Sequence, residues 1–414
     1  MICMNAIQFD LNLPKYTLAK ALGRYFPSLF WHSQLSCVKL KKQEDLPLRH
    51  PDWVKIEVTY SGICGSDMNL IFLNDSPTTS PYASFPFTIG HEIVGKVIEM
   101  GENVKDIHIG DRVVVDPVLS CESRGFHELC PACQRGDYSL CENMTNGDIS
   151  PGLLIGTCKD TGGGWSSHLN THKSQVFKLP QEVDDQNGVM IEPFSCALHA
   201  VMRNKPKKDD TILIIGAGVI GLCTVAAIRA LGYDNHVIIL AKHGFQASLA
   251  RHYGADNVIM LTKGNHYYED VSEALQAQLL KPVFGPPVVQ GGADIVIECV
   301  GRKSSVNDAL RLTKSGGKVI LLGLAGILKD IDWTTVWLNE LEVKGSFAYS
   351  TEMYEGQPTR TLAVAIDLIK KGKVNLAPFI THRFPLHQYK EAFTVASTKR
   401  KGDAIKIVFE PNAK

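Results

Sequence analysis

The stretch ILIIGAGVIGLCTVAAIRALG, residues 212–232, decides the fold. Four apolar, mostly β-branched residues run into Gly216, Gly218 and Gly221, and a helical pattern follows to residue 231. A strand, a glycine turn and a helix in that order form the phosphate-binding opening of a βαβ unit. Gly216 permits the tight turn, Gly218 lets backbone N–H groups approach a pyrophosphate, and Gly221 allows close helix–strand packing. The helix N-terminus at Val219 and Ile220 adds partial positive charge. Further apolar runs at 237–240, 295–299 and 318–322 alternate in places with helical segments such as 247–253. Such runs predict a parallel sheet covered on both faces, a doubly wound α/β unit.

The end of the second strand reads Ile238-Ile239-Leu240-Ala241-Lys242-His243. An NAD-selective site usually places an acid there for the ribose hydroxyls. Here that place falls at Ala241, and Lys242 and His243 follow. With no carboxylate to repel a 2′-phosphate and two groups able to attract one, NADP(H) is expected over NAD(H).

Upstream, residues 1–190 are rich in Gly, Pro, Val and Ile in short runs. Strands are expected at 54–60, 91–99 and 112–115, separated by Gly62, Gly90, Gly101 and Gly110. This pattern predicts a twisted β-rich unit with functional loops. One loop reads CESRGFHELCPACQRGDYSLC, residues 121–141. Four thiols at Cys121, Cys130, Cys133 and Cys141, two of them in a Cys-x-x-Cys turn, suit a tetrahedral structural zinc.

The rest of the chain argues against disulfides there. Its 414 residues hold 11 cysteines, an odd and scattered set, and show neither a leader pattern nor a long apolar span. A reduced, cytoplasmic protein is expected. Acids and bases balance at 43 each, so neither a nucleic-acid nor a membrane partner is indicated. No internal repeat or low-complexity segment is evident.

Two shorter pieces complete the chemistry: Cys64-Gly65-Ser66-Asp67 and Gly90-His91-Glu92. A cysteine, a histidine and a carboxylate are sufficient protein ligands for a zinc that keeps one position open. Both pieces follow a glycine at a strand boundary.

With these pieces, the cysteine loop, Ile191-Glu192-Pro193-Phe194-Ser195 and the glycine fingerprint in one order, the chain resembles the zinc-dependent medium-chain alcohol and polyol dehydrogenases. The resemblance implies a GroES-like catalytic domain in two segments, 1–190 and 345–414, with a Rossmann domain at 191–344 between them and the active-site cleft between the domains. It implies catalytic zinc at Cys64 and His91, with Glu92 and Glu192 as further ligands or near neighbours. Glu192 brings the sorbitol and threonine dehydrogenase branch closer than the ethanol branch. Asp67 is expected to orient His91. The implied reaction moves a hydride between NADP(H) and an alcohol, polyol or sugar hydroxyl, or its carbonyl. Ser66 resembles the hydroxyl that takes the alcohol proton. A homodimer or homotetramer is the expected assembly.

The chain also departs from the family pattern. Members with a relay histidine five residues after the zinc cysteine would carry it at position 69, where this chain has Asn69, so Glu192 or a water beside it is the substitute exit for the proton. The first rung of the cysteine loop is stretched, and His127 occupies the usual place of a ligand. Either Cys121 or His127 completes the tetrahedron; a uniform thiolate set favours Cys121. Residues 12–35 are expected to add a helix and an aromatic turn, as packing or as a lid or subunit contact. Residues 281–292 read as a loop enlargement. Cys3, Cys37, Cys158, Cys196, Cys223 and Cys299 read as buried thiols. Two other readings are a zinc-free quinone or enone reductase and a non-catalytic nucleotide-binding redox sensor. The first can dispense with both metals and the second with the catalytic ligands, yet all of those ligands are kept here.

Overall fold

The computed structural model describes residues 3–262, 264, 266–398 and 402–413. It contains two compact units. The first holds Met1–Glu192, Tyr349–Thr351 and Leu362–Lys414; the second holds Pro193–Ala348 and Glu352–Thr361. The return to the first unit is thus stepwise. Three residues from Tyr349 pack there, ten from Glu352 belong with the second unit, and the chain comes back for good at Leu362.

The second unit is a six-stranded sheet in the order Asn257–Met260, Val237–Ala241, Ile212–Ile215, Ala293–Glu298, Thr313–Leu321, Glu342–Gly345. Every neighbouring pair is parallel. In chain order this is third, second, first, fourth, fifth, sixth, the doubly wound order with its switch point beside the first strand. Sequence explains the placement. All four residues of Ile212–Ile215 and all five of Val237–Ala241 are buried. Strands apolar on both faces need cover on both faces, and the helices Val219–Ala230, Gly244–His252 and Lys303–Leu312 belong to this unit.

The first unit is built on a larger sheet whose centre is Trp53–Gly62, flanked by Ile93–Met100 on one side and Lys406–Glu410 on the other. Ile93–Met100 continues to Arg112–Val115 and Val176–Lys178, and His168–His172 also pairs with the central strand. The C-terminal strand reaches only the end of its neighbour, with Val408 opposite Gly62 and Phe409 opposite Ser61. Lys406 is thereby brought beside the residues that lead into Cys64.

Residues 12–35 form a helix, Leu13–Gly23, and a short turn of helix, Leu29–His32. Asn12 caps the first by accepting from the Lys15 N–H at 3.1 Å. Phe30 and Trp31 are buried, edge-on to Phe72, and Trp31 also meets Phe393. The packing half of the expectation is therefore visible, while Leu13, Tyr25 and Phe26 on the same insertion stay exposed. Residues 281–292 are not a plain loop: Gln278–Leu280 and Val288–Gln290 pair as an antiparallel hairpin. The β-branched Val288 and Val289 supply strand character, and the intervening Phe284-Gly285-Pro286-Pro287 makes the turn.

No disulfide is present among the described residues. Cys37, Cys158 and Cys223 are buried, as expected, but Cys196 and Cys299 are only half-buried, and the Cys3 side chain lies outside the described residues. Among the described residues no helix is long and apolar enough to cross a membrane.

Candidate metal and nucleotide sites

Cys64 ends the turn after the central strand and caps the helix Gly65–Ile71. Asp67, at the third helical position, accepts the Cys64 N–H at 2.8 Å through Oδ2. Its other oxygen lies 3.4 Å from Nδ1 of His91. One buried carboxylate thus caps the helix and fixes the imidazole, leaving Nε2 turned the other way, as a histidine ligand requires. Burial opposes charge on His91, but Asp67 and Cys64 outweigh it and hold the imidazole well above its ordinary pKa. Ser66 sits half-buried in the first turn of the same helix.

The residues Gly90, His91 and Glu92 lie just outside the strand that begins at Ile93. Gly90 has a φ of +102°, and a Cβ there would meet Trp165 at 2.4 Å. Only glycine makes this turn, and the Glu92 carbonyl accepts the Gly62 N–H at 3.0 Å, which holds the segment beside the chain leading into Cys64. Gly62 makes a second accommodation: a Cβ would lie 1.6 Å from Oε2 of Glu92. The carboxylate occupies the space that glycine leaves.

Ligand atoms of Cys64, His91 and Glu92 lie within 4.8 Å of one another. Glu92, however, has both oxygens on the Lys406 ammonium, at 2.6 and 2.7 Å. That lysine also donates to the Ile63 carbonyl at 3.2 Å. Both side chains are 1 % exposed. Lys406 is the site residue that motif reading missed. Its signal was a lysine inside the strand Lys-Ile-Val-Phe-Glu, whose first four residues are all buried.

Glu192 comes from the helix Asp185–Arg203 and is buried. Desolvation and the charge of Glu92 raise its carboxyl pKa to about 7, against the pull of His91, Lys406 and the Tyr349 hydroxyl. It therefore shares the electrostatic surroundings of His91. The two-charge, half-soft donor set of Cys64, His91 and a carboxylate fits zinc with a position to spare.

The second cluster is closed. Sulfurs of Cys121, Cys130, Cys133 and Cys141 lie within 4.8 Å of one another, all buried. The Cys121 and Cys141 sulfurs are 3.6 Å apart. Four thiolates about 2.3 Å from one zinc would stand about 3.8 Å from each other. N–H groups of Cys130, Glu142 and Asn143, with the Asn143 side-chain amide, donate to these sulfurs at 3.3–3.5 Å. Donors aimed at sulfur favour thiolate over thiol. His127 is exposed and outside the cluster.

In the second unit Gly216 has a φ of +101°, and Gly218 caps the helix with open space where a Cβ would be. A Cβ on Gly221 would sit 1.8 Å from the Gly216 carbonyl. Val219 and Ile220 open the helix. Ala241 is buried at the end of its strand, Lys242 is exposed, and half-buried His243 stacks on Phe245 at 5.5 Å. Beside this turn, buried Glu298 accepts the Val300 and Gly301 N–H groups, each at 2.8 Å.

Residues 50–181 match the alcohol dehydrogenase GroES-like domain, and residues 219–363 match the zinc-binding dehydrogenase domain. L-idonate 5-dehydrogenase of Vitis vinifera is 30 % identical over 88 % of this chain and 89 % of its own length. L-threonine 3-dehydrogenase of Paraburkholderia phymatum is 30 % identical over 91 % and 96 %. Among solved structures, a zinc-binding dehydrogenase of Sinorhizobium meliloti bound to NADP superposes with a TM-score of 0.70 at 27 % identity, over 99 % of this chain and 100 % of that one. With a GroES-like unit, a Rossmann unit and both cysteine-bearing clusters in place, the chain belongs to the zinc-dependent medium-chain dehydrogenase family and is an oxidoreductase.

Proposed function

We propose that this enzyme is an NADP(H)-preferring dehydrogenase of polyols, sugars or related alcohols, acting through a Cys64–His91–Glu192 metal site. The observation that carries the reading is that His91 has Nδ1 3.4 Å from Asp67 while ligand atoms of Cys64, His91 and Glu92 lie within 4.8 Å of one another. Bound zinc would supply Lewis acidity at a substrate oxygen.

Each residue then has a task. Cys64, His91 and Glu192 hold the ion, since Glu92 is committed to Lys406 and balances the charge of the pocket. Asp67 keeps the imidazole oriented. Ser66 takes the proton of the substrate hydroxyl, and a water beside Glu192 serves in the place of a relay histidine that Asn69 does not provide. Cys121, Cys130, Cys133 and Cys141 bind a second, closed zinc that stiffens their loop. Gly216, Gly218, Val219, Ile220 and Gly221 receive the pyrophosphate, and Ala241, Lys242 and His243 receive the 2′-phosphate.

Free thiols support a cytoplasmic setting. The outer edge of Glu342–Gly345 in the second sheet, with Trp337 70 % exposed in the same unit, supports a homodimer or homotetramer.

Metal analysis and a substrate panel test the reading. The expected result is about two zinc ions per chain, NADP⁺ reduction by at least one polyol, sugar or amino alcohol, and a higher kcat/KM with NADPH than with NADH. A metal-free active enzyme, or a preference for NADH, overturns it.

A further inference from the structure

The enlarged first rung of the cysteine loop contains a buried cation. Glu122–Arg124 form one turn of 3₁₀-helix after Cys121, closed by Gly125 in the left-handed region. The turn drives Arg124 inward until its side chain is wholly buried. There the guanidinium donates to five main-chain carbonyls: Leu119 at 2.9 Å, Asn146 at 2.9 Å, Ile149 at 3.3 Å, Ser150 at 3.4 Å and Gly152 at 2.6 Å. Among the described residues no carboxylate forms an ion pair with it.

A buried guanidinium without an anion is costly, because carbonyl dipoles satisfy its hydrogen bonds without cancelling its charge. Its main-chain N–H donates to the Cys121 carbonyl at 3.1 Å, and burial, which pushes its pKa down, is opposed by the thiols of Cys158, Cys141 and Cys121. Two of these belong to the cluster. A divalent zinc on four thiolates leaves a net double-negative charge, itself buried. The two imbalances are opposite in sign and lie in one loop.

We propose that Arg124 is the counter-cation of the tetrathiolate centre. It offsets the excess thiolate charge, and the Leu119 and 146–152 carbonyls serve to hold it in place. The inference rests on the reading of this cluster as a zinc site, which the zinc content of the wild-type loop tests separately.

Two variants divide charge from hydrogen bonding. Arg124→Lys keeps the cation with fewer donors; Arg124→Gln keeps amide donors without the charge. Zinc loss to a chromogenic chelator is followed together with alkylation of the peptides that carry Cys130 and Cys133, so the site of loss is identified. In R124Q both rates should rise about tenfold or more, the scale of a lost metal-shell partner, whereas R124K stays close to wild type. R124Q as slow as wild type, or R124K as fast as R124Q, overturns the proposal. If R124Q is insoluble, adding Cys133→His replaces one thiolate by a neutral ligand and should restore soluble, zinc-retaining protein; failure to restore it counts against the proposal equally. Wild-type protein with no zinc at these cysteines removes the underlying reading, and this inference with it.

Discussion

Lys406 and Glu92 are separated by 314 residues of chain, yet the ammonium of one contacts both carboxylate oxygens of the other in a site closed to solvent. Neither charge is tolerable there alone. Lys406→Met should destabilise the first unit by about 3–5 kcal/mol, because it strands a buried carboxylate. The double variant with Glu92→Gln should recover most of that loss. Denaturant unfolding of the single and double variants checks both statements.

The same pair sets an alkaline limit. Burial disfavours the Lys406 ammonium, but Glu92 and Cys64 more than compensate, and its pKa is raised above the ordinary 10.5. A lysine raised on folding contributes stability that is complete below its unfolded pKa and fades as pH climbs through the folded one. The stability gap between wild type and the Lys406→Met, Glu92→Gln double variant should stay constant from neutral pH up to about 10 and narrow only beyond it.

Asp67 has two tasks, and its replacement should show two effects of different size. Asp67→Ala removes a helix cap, a loss of about 1 kcal/mol in thermal unfolding. It also releases His91, which should weaken zinc at the catalytic site by about 10–100-fold in chelator competition. If zinc affinity is unchanged, Asp67 serves only the helix.

His127 and Cys121 can be told apart by counting metal. With His127 exposed and Cys121 among the clustered sulfurs, His127→Ala should keep its full zinc content. Cys121→Ala should lose about one ion per chain and unfold at lower temperature.

The nucleotide turn offers a separation of binding from folding. Gly221→Ala drives a methyl into the Gly216 carbonyl and should destabilise the second unit. Gly218→Ala meets nothing in the protein, so stability should hold, while NADPH binding weakens by about tenfold or more as the methyl takes the pyrophosphate's space. Ala241→Asp should turn the kcat/KM ratio toward NADH by placing a carboxylate where the 2′-phosphate would lie.

Much of this architecture was legible because its signals are local. Ile212–Ile215 and Gly216 to Gly221 announce their geometry within ten residues. The Cys130–Cys133 turn and the Cys64 and His91 pieces do the same. What the sequence concealed depends on contacts between distant segments. Lys406 looks like an ordinary strand residue until the strand is seen to begin beside Ile63. Arg124 looks like a loop cation until the 146–152 carbonyls close around it. The hairpin at 278–290 was hidden by its own prolines and glycine, since strands of three residues carry too little periodicity to compete with them. The strand expected at 91–99 begins at Ile93, after the turn at Gly90.

The pairing of Lys406 with Glu92 also imposes an order on biosynthesis. A ribosome delivers Cys64, His91 and Glu92 early, and the Lys406–Glu410 strand more than three hundred residues later. Until that strand docks against Ser61 and Gly62, the nascent pocket holds a carboxylate with no neutralising partner and stays open to water. The thiolate loop at 121–141 meets its buried guanidinium within the first 152 residues, but Ser139 and Gly136 also wait for Ser350 and Thr351. The carboxylate beside Cys64 and His91 should therefore gain its counter-charge only after the last strand is in place.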